Sequence, residues 1–189
     1  MNCPDVKIIN LDSLYHGIPA LSPGKANMLK EACIWCLNKC RHLNGVVITV
    51  QRNEEQEKLP ICWDSEQIDE ENIKRSYNQD DAVEYGAEAV SFLLIRECTQ
   101  YTAIRRAATG TGIDYWLGNK ENVDDNILVN SARLEVSGIL NESDDNTVKK
   151  RIRGKLRQTT PTDRTFPVFI SVIEFSQPKA EMVLKNVKS

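Results

Sequence analysis

Two acidic residues stand in stretches that otherwise read as apolar strands: Asp114 in "GTGIDYWLG" (110–118) and Glu135 in "ARLEVSG" (132–138). The midpoint between them falls at 124–125, and the polar connector "NKENVDDNILVN" (119–130) is centred on the same place. A symmetric hairpin therefore sets the two acids opposite each other, where cross-strand Cβ atoms lie about 4.5–5.5 Å apart. Alternation along a strand gives Asp114 and Trp116 one face and Ile113, Tyr115 and Leu117 the other. On the second strand Arg133, Glu135 and Ser137 share a face opposite Leu134 and Val136. Two carboxylates brought together raise a pKa unless positive charge intervenes. A divalent cation supplies that charge: Mg²⁺ takes oxygens from one or two carboxylates and fills the rest of its shell with water and substrate phosphate. The competing reading pairs Glu135 with Arg133, Arg105 or Arg106 on an exposed sheet face.

The elements that would position these acids follow from periodicity and punctuation. "KIINL" (7–11) reads as a short strand. A helix begins at Ser22 as N-cap with Pro23 in its first turn and stops before "NG" at 44–45. Leu29, Cys33, Cys36, Leu37, Cys40 and Leu43 recur along it at helical spacing. "GVVITVQ" (45–51) and "LPICW" (59–63) form a hairpin around a charged connector. The acidic segment 64–80 lacks a period and reads as a surface loop with a short helix. A second helix spans 80–98, capped by Asp80 or Asp81, with a heavily apolar C-terminal half. "YTAIRRAA" (101–108), a glycine-rich turn, the Asp114 strand and the Glu135 strand follow. "NTVKKRIRGKLRQ" (146–158) is a basic helix with Val148, Ile152 and Leu156 on one side. The almost continuously apolar "PVFISVIEF" (167–175) suits a central strand covered on both faces, most often a parallel one. The fold class is α/β with a mixed sheet, in a single domain of 189 residues.

The order from 80 onward, α-β-β-β-α-β, with acids on consecutive strands, resembles the PD-(D/E)xK nuclease superfamily and its restriction-endonuclease-like fold. The resemblance covers 80–176 and leaves 1–79 as an N-terminal helix and hairpin extension. It implies that Asp114 and Glu135 bind Mg²⁺ or Mn²⁺, with an assisting glutamate on the first core helix, Glu84 or Glu88, Glu84 being preferred as nearer the helix start. The family pattern places a lysine two residues after the second acid; here that residue is Ser137. A base from the following helix would take its place: Lys149, Lys150 or Arg153, with Lys150 assigned the catalytic role. The resemblance implies a nuclease acting on nucleic acid, DNA first, as a homodimer or within a larger protein complex. Its alternative is an inactive nuclease-fold subunit that binds nucleic acid or a protein partner, for instance in a bacterial defence system.

The remaining signals bear on partners. "KKRIRGKLR" (149–157) holds six bases among nine residues. Lys149, Lys150, Arg151, Arg153 and Lys155 are thus candidates for phosphate contact, against a plain solvated helix face. Residues 53–84 carry eleven acids and three bases, so the net charge of −3 hides a balance of +5 elsewhere. A basic face is therefore compatible with the acidic total, while the acidic region would suit a basic partner. Cys33, Cys36 and Cys40, with His42 nearby, have metal-ligand spacing, but they also fit one buried helical stripe. Six cysteines spread along the chain do not make a disulfide framework. "ATGTG" (108–112) lacks the lysine of a phosphate-binding loop and reads as a turn. No stretch is apolar enough to cross a membrane, and the first residues lack a secretory pattern; the expected location is the cytoplasm.

Overall fold

The computed structural model describes residues 7–66, 68–121, 131–159 and 166–187. Its strands and helices run β1 (Ile9–Asn10), α1 (Pro23–Lys39), β2 (Val46–Arg52), β3 (Glu55–Cys62), α2 (Glu70–Ser76), α3 (Gln79–Cys98), β4 (Tyr101–Arg106), β5 (Tyr115–Asn119), β6 (Ala132–Ile139), α4 (Val148–Gln158), β7 (Val168–Glu174) and β8 (Lys179–Lys185), with a 3-10 turn at Leu11–Tyr15. The eight strands among the described residues join one mixed sheet in the order β1-β3-β2-β8-β7-β6-β5-β4. Helices α1 and α3 pack together over one face, while α4 lies against β6, β7 and β8 on the other.

Local chemistry accounts for the helix starts. Ser22, Asn78 and Thr147 each accept a backbone N–H three residues on, satisfying a donor that the first turn leaves open. For α3 the cap is thus Asn78, two residues before the expected Asp80. Helix α1 ends at Lys39, short of "NG", because the chain turns left-handed at Arg41 (φ 63°). Leu43, expected on the buried stripe, is 81% exposed. The charged connector of the first hairpin is itself strand: β3 begins at Glu55, and the turn shrinks to Asn53 (φ 53°) and Glu54.

From α3 to β7 the elements follow the expected order. Strands β4, β5 and β6 form an antiparallel meander, α4 crosses over, and β7 returns parallel to β6 with every residue buried. Strand β8 was not expected. It pairs antiparallel with β7 and parallel with β2, so the first hairpin continues the same sheet. Small residues let α3 sit close to its neighbours. A Cβ on Gly138 of β6 would fall 2.3 Å from the Val83 carbonyl oxygen, and one on Gly86 would lie 3.1 Å from Cys33 Cα. Gly154, within α4, has open space around it. No helix among the described residues is long and apolar enough to cross a membrane.

Candidate active site

The β5–β6 register pairs Tyr115 with Leu134, and the Asp114 N–H donates to the Leu134 carbonyl at 2.9 Å. One step further along the same register sets Asp114 beside Glu135. Asp114 precedes β5 rather than lying within it, and its Oδ2 accepts the Val136 N–H at 2.8 Å. Beyond that point β6 runs on to Ile139 with β7 as its only strand neighbour among the described residues. The sheet therefore splits, and a cleft of about 530 Å³ opens between α3 and α4. Glu84, Glu88, Asp114, Ser137, Arg151 and Lys155 are among its lining residues. A second cavity of about 470 Å³ lies on the other side of Asp114, walled by Arg106, the glycine turn, Glu135 and Gln158. Ile113 departs from the expected alternation: the turn swings it into the cluster under α4, with Trp116.

Glu135 is 1% exposed. Its Oε1 accepts Lys155 Nζ at 2.5 Å and Gln158 Nε2 at 3.0 Å. Its Oε2 is buried and has no hydrogen-bond partner among the described residues. Burial pushes the Glu135 carboxyl up to about 7; Lys155 opposes the rise, and the Asp114 carboxylate, close enough to share a proton with the protonated form, adds to it. The competing pairing with an arginine does not form at this carboxylate. Arg133 donates to the Phe166 carbonyl, and Arg106 turns to Glu88 and Tyr115.

The lysine beside the acids is thus Lys155, not Lys150. Helix α4 buries Val148 and Ile152 against the sheet. Positions 151, 155 and 158 flank that stripe on the β6 side, spaced for one helix face. Arg151 reaches Ser137 Oγ at 3.4 Å, and Lys155 and Gln158 reach Glu135. Lys150 points outward, donating to the Asp144 carbonyl and to Asp145. Lys149 borders a separate groove near the start of α4, and Arg153 is exposed. Of the five basic candidates, only Arg151 and Lys155 line the cleft. The apolar stripe was a usable signal against Lys150, because it turns that residue to the far side of the helix from the sheet.

Both helix glutamates line the cleft, in different states. Glu84 is exposed, while Glu88 is 2% exposed and fully engaged. Glu88 Oε2 accepts the Tyr115 hydroxyl at 2.8 Å and lies 3.3 Å from Lys25 Nζ; Oε1 lies 3.4 Å from Arg106 Nη1. Burial raises the Glu88 pKa, and Lys25, Tyr115 and Arg106 oppose the rise. Lys25 comes from α1, some sixty residues away in sequence, so local pattern gave no sign of it.

Asp114 and Glu135 fit a divalent cation in one respect: an unpartnered buried carboxylate oxygen adjoins a second carboxylate, as a hard cation completed by water and phosphate requires. Among the described residues no three or more His, Cys, Asp or Glu side chains form a metal-holding group. The cysteine stripe is packing. Cys33 and Cys36 are buried, Cys36 donates to the Ala82 carbonyl, and burial pushes the Cys33 thiol up to about 12. His42 Nε2 faces the Phe175 and Ser176 carbonyls at 3.0 and 3.1 Å. No family model matches the chain, and no curated protein or solved structure is significantly similar to it.

Proposed function

We propose that the chain is a divalent-metal-dependent phosphodiesterase acting on nucleic acid, built on a core like that of the PD-(D/E)xK nucleases. The observation that carries this is the Glu135 carboxylate: buried, held on one oxygen by Lys155, and open on the other beside Asp114. The α-β-β-β-α-β order from α3 to β7, with the acids at the start of its second strand and on its third, supports the family reading. Asp114 and Glu135 would hold Mg²⁺ or Mn²⁺, which when bound polarises a phosphoryl oxygen and lowers the pKa of water. Lys155 stands in for the lysine missing at Ser137, orienting Glu135 and favouring its charged form. Arg151 and Lys155 present positive charge to phosphate along the cleft. Assembly as a homodimer or within a larger complex belongs to the same proposal.

A second reading, a non-catalytic nucleic-acid-binding subunit, is favoured by one observation: Lys155 is already committed to Glu135. The two separate on labelled DNA and RNA oligonucleotides with Mg²⁺ or Mn²⁺. Cleavage that falls at least about a hundredfold in Asp114→Ala and Glu135→Ala, with binding retained, supports the enzyme. Binding without cleavage by the wild type supports the subunit. Neither binding nor cleavage sinks both.

A further inference from the structure

Arg106 is aimed by an irregularity in the sheet. The β4–β5 register shifts between Ala103 and Arg105, so Ile104 is an extra residue, and Arg106 comes to pair with Tyr115. Such bulges re-aim side chains, often beside active sites. Gly118 accommodates this one: a Cβ there would fall 2.9 Å from Ile104 Cγ2. The result places the Arg106 guanidinium beside Glu88 and Tyr115, and Arg106 is also among the residues that wall the second cavity with Asp114 and Glu135.

Glu88 has two further partners on its Oε2 beside this arginine, which is the donor to Oε1. Lys25 already balances its charge, and the Tyr115 hydroxyl makes its shorter hydrogen bond. The Arg106 side chain is 54% exposed, and its contact with Glu88 is 3.4 Å long. Among the described residues only its Nη1 donates, to Glu88 and Tyr115, so the Nε and Nη2 edge of the guanidinium remains available. That edge is the fork that grips a phosphate with two parallel hydrogen bonds. Lys25, Arg106 and Glu88 together carry one surplus positive charge next to the Asp114–Glu135 pair.

We infer that the second cavity is a subsite for the phosphate neighbouring the scissile one, and that Arg106 is its recognition residue. A nucleic-acid strand then passes Asp114 with one phosphate at the acidic pair and the next at Arg106. This rests on the phosphodiester reading but is separable from it. Arg106 is a positioning residue, so its loss weakens the grip on a polymer more than it slows hydrolysis of a small diester.

The test compares wild type, Arg106→Ala and Arg106→Lys on a short single-stranded oligonucleotide and on bis(p-nitrophenyl) phosphate, with Mg²⁺ or Mn²⁺. The expected result is a KM for the oligonucleotide raised roughly tenfold or more in Arg106→Ala, the loss of one charge-assisted contact. The effect on the small diester is much smaller. The salt dependence of oligonucleotide binding becomes shallower by about one charge, and Arg106→Lys, a point charge without the fork, recovers part of the loss. Equal losses on the two substrates, or no loss on the oligonucleotide, overturn the subsite. If the wild type hydrolyses neither substrate, the hydrolytic reading fails and oligonucleotide affinity by fluorescence anisotropy decides the subsite. Binding weakened roughly tenfold in Arg106→Ala keeps it, and unchanged binding removes it.

Discussion

Glu88 and Glu135 are buried to the same degree, on opposite sides of one sheet, yet their surroundings differ in kind. Glu88 projects from α3 and has a hydroxyl, an ammonium and a guanidinium distributed over both oxygens. Glu135 projects from β6 toward α4 and has two donors on one oxygen and none on the other. Buried charges persist in proteins when their hydrogen bonds are complete. A complete set, as at Glu88, serves the fold by tying α1, α3 and β5 together. An incomplete set beside a second carboxylate leaves room for a ligand. The residue that costs stability is thus the one expected to carry chemistry.

The largest effect expected from this contrast is structural. Glu88→Ala strips Lys25 and the Tyr115 hydroxyl of their shared acceptor and should cost about 3 kcal/mol, the lower end for breaking a buried pair, because Lys25 can still reach water. Urea unfolding measures it. A loss below about 1 kcal/mol would mean that Glu88 is not a structural hub and that the contrast is false.

Glu135→Gln should act with the opposite sign. The folded pKa, about 7, lies above the ordinary value of 4.5, so folding disfavours the ionised form. Below pH 4.5 the acid is protonated in both states and the penalty vanishes. It grows as pH rises from 4.5 and is complete above 7. The variant should therefore match wild type in acid and exceed it at pH 8 by on the order of 1–3 kcal/mol, reduced by the loss of a counter-charge for Lys155. Urea midpoints at pH 4 and pH 8 check this, and a variant less stable at pH 8 would show that the Lys155 pair outweighs burial.

Sequence made the acids legible and left their partners obscure, for a physical reason. Asp114 meets Glu135 through hairpin register, which is local: strand lengths and a connector's centre suffice to place it. The connector residues 122–130 themselves lie outside the described residues. Lys155 was one basic residue among six on its helix: the apolar stripe turns Lys150 away from the sheet, and only the packing of α4 on β6 decides which flank reaches Glu135. Lys25 and Arg106 reach Glu88 across long sequence separations, Arg106 through a bulge that alternation cannot foresee. Strand β8 was missed because "KAEMVLK" alternates weakly, with charged residues at both ends. Its pairing with β2 is a tertiary choice. The same choice joins the first hairpin to the sheet that carries the acids.

A third glutamate sharpens the comparison at smaller scale. Glu142 Oε1 accepts the Val148 N–H at 2.7 Å in the first turn of α4, and its Oε2 takes Lys179 Nζ at 2.5 Å. Lys179 and that N–H hold its pKa below the ordinary carboxylate value, against a weaker effect of burial. A lowered folded pKa means stability that is present above pH 4.5 and lost as pH falls through the folded value. Glu142→Gln should cost about 1 kcal/mol at pH 7, typical of a helix-start acceptor near the positive end of the helix dipole, and the deficit should shrink toward zero in acid. As pH rises, Glu142→Gln thus falls behind wild type below about 4.5, and Glu135→Gln pulls ahead of it between 4.5 and 7. Because Glu142 anchors the start of the helix that delivers Lys155, the downward variant should also weaken any activity that depends on the Lys155–Glu135 contact, while folding cooperatively in urea.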